Sequence, residues 1–164
     1  MIKAYKIFGT LLNSPMDNLK IIGIATETTN QDGRSAQEIG RLWERFYAEN
    51  IMRRILDRAG DEVYAIYTDY ESDYTGKYTI IIGLKVNSLN HVPMGLVGRE
   101  FEPIPFRQFT AKGPMPGAVV EAWKEIWKND KELNRSYQYD YEVYGAACQN
   151  GENSVVDIFV GIKA

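Results

Sequence analysis

Glu142 lies in "YDYEVYG", residues 139–145, a run of aromatic and β-branched residues that reads as a buried strand. A carboxylate taken out of water there has two chemical uses: as counter-charge to a bound cation, or as a general acid or base. An organic cation needs a counter-charge and polarisable faces, and each cation–π contact contributes about 0.5–2 kcal/mol. Eleven Tyr, six Phe and three Trp supply such faces. Strand alternation puts Tyr144 on the same side as Glu142, with Tyr141 and Val143 on the other. Other chemistry is poorly supplied. Cys148 and His91 are the single cysteine and histidine, so an intramolecular disulfide and a thiolate or imidazole zinc cluster are excluded, and no cofactor is expected. "GPMPG", 113–117, lacks a following GK[ST] and reads as a strand-to-helix turn rather than a phosphate loop.

The elements that must position Glu142 come in two sets. "NLKIIGIATET" (18–28) is β-rich, "SAQEIGRLWERFYAENIMRRILDRA" from Ser35 has helical spacing, and "EVYAIYTDY" (62–70) and "KYTIIIGLKV" (77–86) form a hairpin. Ser35 with Glu38 reads as a capping box and Gly60 as the helix stop. The order then repeats: "PFRQFTAKG" (105–113), "GAVVEAWKEIWKN" (117–129), "RSYQYDYEVYG" (135–145) and "NSVVDIFVGIKA" (153–164). Trp43 answers Trp123, "YAIY" (64–67) answers "YEVY" (141–144), and "GLKV" answers "GIKA". The expected fold is α+β: two pseudo-symmetric β-α-β-β halves, about 19–86 and 105–164, in a mostly antiparallel sheet around a ligand cleft. The main helices are expected near 35–58 and 116–129. One domain spans 1–164, with 1–17 as an N-terminal extension and 87–104 as a connector able to carry an extra strand.

The repeat aligns Ala65 with Glu142 and Tyr67 with Tyr144. Tyr64, Ile66, Tyr141 and Val143 suit the sheet face that the helices cover, so Ala65, Tyr67, Glu142 and Tyr144 are expected to look away from the helices into the cleft. Phe159 is assigned to the same cleft. Trp43 and Trp123 fall on apolar helix stripes, where core packing is the simpler role. A solvated acid on an exposed sheet face is the bland alternative for Glu142.

Composition narrows the partners. With 45% hydrophobic and 25% charged residues, 164 residues suit a compact domain with a sizeable core. The formal charge of -3, the pI near 5.3 and the lack of a basic block argue against direct nucleic-acid binding. No apolar run approaches the roughly 20 residues of a membrane span, and the N-terminus has no signal-like pattern, so a cytoplasmic location is expected.

"FRQFTAKGPM", "EAWKEIWKN", "YQYDYEVYG" and "VVDIFVGIKA", with "YAIYTDYESDYTGKYTIIIGLKV" in the first half, resemble the effector-binding domain of gyrase-inhibitory-like proteins and of AraC-type and MerR-type multidrug regulators. The resemblance runs from about residue 19 to the C-terminus. It implies two halves around a cleft that binds bulky aromatic, often cationic, compounds beside a buried glutamate, with Glu142 in that position. Tyr144, Tyr67, Phe159 and Trp123 are the accompanying ligand candidates. No helix-turn-helix unit matches, which implies a free-standing binding module like the integron gene-cassette proteins. Two further readings stay open: hydrolysis of strained electrophiles by the same glutamate with a tyrosine hydroxyl, and binding to a protein partner in the manner of a gyrase inhibitor. For the latter, "TDYESDY" (68–74) could mimic nucleic acid, but a solvated hairpin loop is the simpler expectation.

Overall fold

The computed structural model describes residues 9–13 and 17–164. Eight strands form one sheet: β1 (Thr10–Leu12), β2 (Leu19–Thr29), β3 (Arg58–Thr68), β4 (Lys77–Val86), β5 (Val97–Phe101), β6 (Phe106–Lys112), β7 (Tyr139–Tyr144) and β8 (Val155–Gly161). Four helices accompany them: α1 (Arg34–Ala48), α2 (Ile51–Arg54), α3 (Gly117–Lys128) and α4 (Asp130–Leu133). The strand order is β1, β6, β8, β7, β3, β4, β2, β5, and every pairing is antiparallel.

That order has the same pattern from either end. In each half a long helix follows the first strand, and the last strand inserts between the first two: β4 between β2 and β3, β8 between β6 and β7. The connector supplies β5 outside β2, and part of the N-terminal extension supplies β1 outside β6; the rest of that extension, 1–8 and 14–16, lies outside the described residues. The halves meet at β3 and β7, where Ala65 is directly opposite Glu142. A pseudo-twofold axis through that pair carries Ala65 onto Glu142 and Tyr67 onto Tyr144, the same correspondence that the sequence repeat gives.

Both long helices pack on one face of the sheet. Leu42 and Phe46 of α1 bury against Ile24, Ile80 and Ile82, while Val119, Trp123 and Ile126 of α3 bury against Val156, Ile158 and Val160. These are two separate clusters, and Tyr67 and Tyr144 pack against both. The opposite face holds Ile21, Ile66, Ile81 and Phe106 beneath Phe101 and Ile104, with Tyr64, Tyr141 and Phe159 at its side. The sequence grouping by parity therefore holds, but the faces are exchanged: Ala65, Tyr67, Glu142 and Tyr144 look toward the helices. Alternation fixes which residues share a face and carries no information on which face the helices take. The large rings of Tyr64, Tyr141 and Phe159 fill the other side, and the small Ala65 leaves room under the helices.

Two local expectations are corrected. The 35–58 helix is broken: α1 stops at Ala48, Asn50 adopts a left-handed φ of 50°, α2 is one turn, and Gly60 lies inside β3 rather than ending a helix. "RRILDRA" has good helix propensity, yet Ile51 and Ile55 are buried to 0% and 2% exposure, and that burial draws the chain down to the sheet. Ser35 is not the cap; Gly33 holds that position with φ 70°, and no side chain caps α1.

The "GLKV" and "GIKA" echo does not carry into the register: Tyr64 pairs with Gly83 and its counterpart Tyr141 with Phe159, so Gly83 answers Phe159, and each glycine has its own steric reason. Gly83 stands opposite Gly23, and a Cβ on Gly83 would lie 2.2 Å from the Ile22 carbonyl oxygen; one on Gly161 would lie 2.6 Å from that of Tyr139. Both positions require close backbone approach. Gly83→Ala is expected to destabilise the fold by about 1–3 kcal/mol, the usual cost of overpacking, read as a lower urea midpoint at unchanged slope.

Candidate functional site

The seam between the two helix-side clusters opens into a cavity of about 410 Å³. β7 supplies Glu142 and Tyr144, β3 supplies Tyr67, and β4 supplies Tyr78. Its walls are pseudo-symmetric. At a constant offset of 80 residues, Ala36, Ile39, Gly40 and Trp43 of α1 answer Pro116, Val119, Val120 and Trp123 on and just before α3, and all eight line the cavity. The site is therefore built on the axis between the two repeats.

Glu142 occupies the centre with 1% exposure. The Tyr67 hydroxyl donates to its Oε2 at 2.9 Å, Trp123 Nε1 donates to the same oxygen at 2.6 Å, and the Tyr144 hydroxyl donates to Oε1 at 2.7 Å. Ala65, its mate across the axis, has only a methyl group, so one carboxylate is held by the two tyrosines that the repeat relates. Burial pushes the Glu142 carboxyl above the usual range, and the three hydrogen bonds pull it partly back. Burial, reinforced by the neighbouring carboxylate, raises the Tyr67 and Tyr144 hydroxyls well above the ordinary phenol range, which keeps both as donors.

One end of the cavity carries more aromatic surface. Tyr70 and Tyr74 come from the β3–β4 loop, 69–76, and Tyr74 stacks on Trp127 of α3 with centroids 5.6 Å apart and planes 8° from parallel. The loop is tied to the start of α1 through Asn30 Nδ2 to the Tyr74 carbonyl (2.9 Å) and Gln31 Nε2 to the Thr75 carbonyl (2.8 Å). Tyr78, whose hydroxyl burial lifts to about 12, donates to Asn30 Oδ1 at 2.7 Å. Arg135 also borders this end, with its charge already engaged: Nη2 lies 2.7 Å from Asp140 Oδ2, both side chains are buried, and Tyr70 donates to the same oxygen. Asp140 Oδ1 accepts from the Gly161 amide at 2.8 Å. Among the described residues no group of three or more His, Cys, Asp or Glu could hold a metal ion.

Of the sequence candidates, Glu142, Tyr144, Tyr67 and Trp123 converge in the cavity, and Phe159 does not. Phe159 stacks on Tyr141 at 4.6 Å on the opposite face, because it shares the parity of Gly161 and not of Ile158. Sequence reasoning missed Trp43 as a lining residue, Trp127, Tyr70, Tyr74, Tyr78 and Arg135. Trp127 was within reach, since it continues the Pro116, Val120, Trp123 stripe by helical spacing. Tyr70 and Tyr74 belong to the stretch read as a solvated loop, and no period marks an irregular loop that folds back over a cleft.

The family described as "Cass2: Integron-associated effector binding protein" matches residues 15–162. YobU of Bacillus subtilis (strain 168) is 26% identical over 151 residues, 90% of this chain and 94% of that protein. The integron cassette protein VCH_CASS2, from the mobile metagenome of Vibrio cholerae, superposes with a TM-score of 0.71 at 26% identity, covering 94% of this chain and 98% of its own. SAV2435, solved bound to tetraphenylphosphonium, shares the fold with a TM-score of 0.77 at 19% identity, covering 94% and 93%. No helix among the described residues is long and apolar enough to cross a membrane.

The raised Glu142 carboxyl has a stability consequence with a definite sign. A folded-state value above 4.5 means that the folded state binds more protons than the unfolded one as the pH rises past 4.5, so this group's contribution falls as the pH rises through its folded value. Glu142→Gln removes that loss. The amide oxygen can accept from Trp123 and Tyr67 while its NH₂ donates to the Tyr144 oxygen, so the cage is kept. Thermal melts between pH 4.5 and 8 should show the variant at least as stable as the parent near neutrality, with a flatter pH dependence; a variant that melts well below the parent at pH 7 contradicts the assignment.

Proposed function

The chain belongs to the Cass2 family of integron-associated effector binding proteins, and from that premise we propose that its effector is a bulky aromatic cation held over Glu142. One observation carries the reading: a single carboxylate at 1% exposure stands in a cavity walled by Trp43, Tyr67, Trp123 and Tyr144. A buried carboxylate without a counter-charge is costly, and a lipophilic cation offsets that cost while its arms bury against the rings. That a protein of the same fold was solved with tetraphenylphosphonium supports the same ligand class.

The donors around Glu142 favour binding over catalysis. The three donors that converge on this carboxylate stabilise its ionised form and so lower its basicity, which suits a standing counter-charge better than a general base. Glu142, Tyr144, Tyr67 and Trp123 are thus assigned to ligand binding, with Trp43 beside them and the Tyr74–Trp127 pair receiving an aromatic arm. The domain, 1–164, carries a formal charge of -3 and is read as the sensing part, without a direct role on duplex DNA.

All three tryptophans line the cavity, so their emission reports occupancy directly. Titration with tetraphenylphosphonium and with neutral triphenylphosphine oxide is expected to show preference for the cation. Glu142→Gln should weaken the cation by roughly tenfold or more, in line with the 1.5–3 kcal/mol of an interaction with a charged group, and leave the neutral compound nearly unchanged. Equal affinity of parent and variant for the cation removes the proposal.

A further inference from the structure

Glu142 is a counter-charge with little hydrogen-bonding capacity left. An ionised carboxylate offers about four lone-pair sites, and three are occupied, two on Oε2 and one on Oε1. Asp140 is another acid nearby, and its oxygens accept from Arg135, Tyr70 and Gly161; further acceptors on the lining, Asn30 Oδ1, which already takes the Tyr78 hydroxyl, and the Ser35 hydroxyl, are neutral. Arg135 is a donor only. The phenol oxygens of Tyr67 and Tyr144 can still accept, but both carry no formal charge, and their O–H groups already donate to Glu142.

A primary ammonium brings three N–H donors and a tightly held hydration shell. Inside this cavity it would lose that shell and find about one charged acceptor site, and each donor left unmatched costs free energy. A fully alkylated or arylated cation has no N–H to satisfy. It needs only a nearby negative charge and aromatic faces, which Trp43, Tyr67, Trp123 and Tyr144 provide around the axis. Resting on the ligand class proposed above, we infer that the site selects onium cations lacking N–H donors, such as quaternary ammonium or phosphonium ions, over protonated amines of the same carbon skeleton. The saturation of Glu142 by its own cage is the filter.

The test uses one skeleton and changes only the head: 3,3-diphenylpropylamine, protonated at pH 7, against its N,N,N-trimethyl derivative, titrated by tryptophan fluorescence into the parent protein, Tyr144→Phe and Glu142→Gln. The trimethyl compound is expected to bind the parent at least tenfold more tightly. Removing the Tyr144 hydroxyl frees Oε1 for an N–H donor, so Tyr144→Phe should narrow that ratio by improving the primary ammonium relative to its trimethyl analogue. A primary ammonium that binds the parent as tightly as the trimethyl compound overturns the filter, as does a ratio unaltered in Tyr144→Phe. Loss of both cations in Glu142→Gln alongside equal binding to the parent would leave the cation site standing and remove this inference alone; indifference of both cations to Glu142→Gln would remove the two together.

Discussion

The three hydrogen bonds on Glu142 tie together parts of the chain that share little else. Tyr67 comes from the first repeat, Tyr144 and Trp123 from the second, and all three donors meet one carboxylate on the axis that relates the halves. The helix-side cores of the two halves are distinct, and across their seam the packing is made by the same two tyrosines. A polar network of this kind is worth having only when complete, since a missing donor leaves a buried charge under-solvated. Here it places the group of the site that is costliest to take out of water where both repeats can hold it.

Duplication explains both the symmetry and the place where symmetry fails. Two copies of a β-α-β-β unit, paired through their second strands, generate a sheet of matched order and bring Ala65 and Glu142 face to face. Two glutamates there would repel, and two alanines would give a neutral cavity. One acid opposite one methyl group gives a single charge, room above it, and a tyrosine from each side. The remaining asymmetry is in the loops: 69–76 carries Tyr70 and Tyr74 over the cavity, and the corresponding loop between β7 and β8 contributes no lining residue among those described.

Much of this was legible from residue order, for identifiable reasons. The strands of both hairpins stand where the alternating runs put them, and Trp123, the tyrosine pair and Glu142 stand out because repeats expose positions where two copies agree or differ; the same repeat picks out Trp43, but only as a core residue. What failed was information that sequence period does not hold. Parity grouped Ala65, Tyr67, Glu142 and Tyr144 correctly but could not say that the helices cover that side, and Phe159 was assigned one residue out of phase with the cavity. The expected 35–58 helix breaks after Ala48 because Ile51 and Ile55 are buried, a tertiary term larger than local propensity.

The buried pair Arg135 and Asp140 shows how the cavity keeps its charge pattern simple. Arg135 borders the site with 4% exposure and carries a full positive charge, which by itself would oppose any cation. Asp140, one strand position below Tyr141 and fully buried, takes that charge at 2.7 Å, Asp130 adds a contact at 3.3 Å, and the guanidinium lies 4.3 Å from the Tyr137 ring. The pair is neutral as a unit, and breaking it by removing either partner would leave an uncompensated ion beside the cleft. Glu142 has no such partner: its neighbours donate hydrogen bonds without bringing positive charge. The two acids of "YDYEVYG" thus divide the work although they share one face of β7, Asp140 neutralising the protein's own cation two positions away and Glu142 remaining as the charge that a ligand must answer.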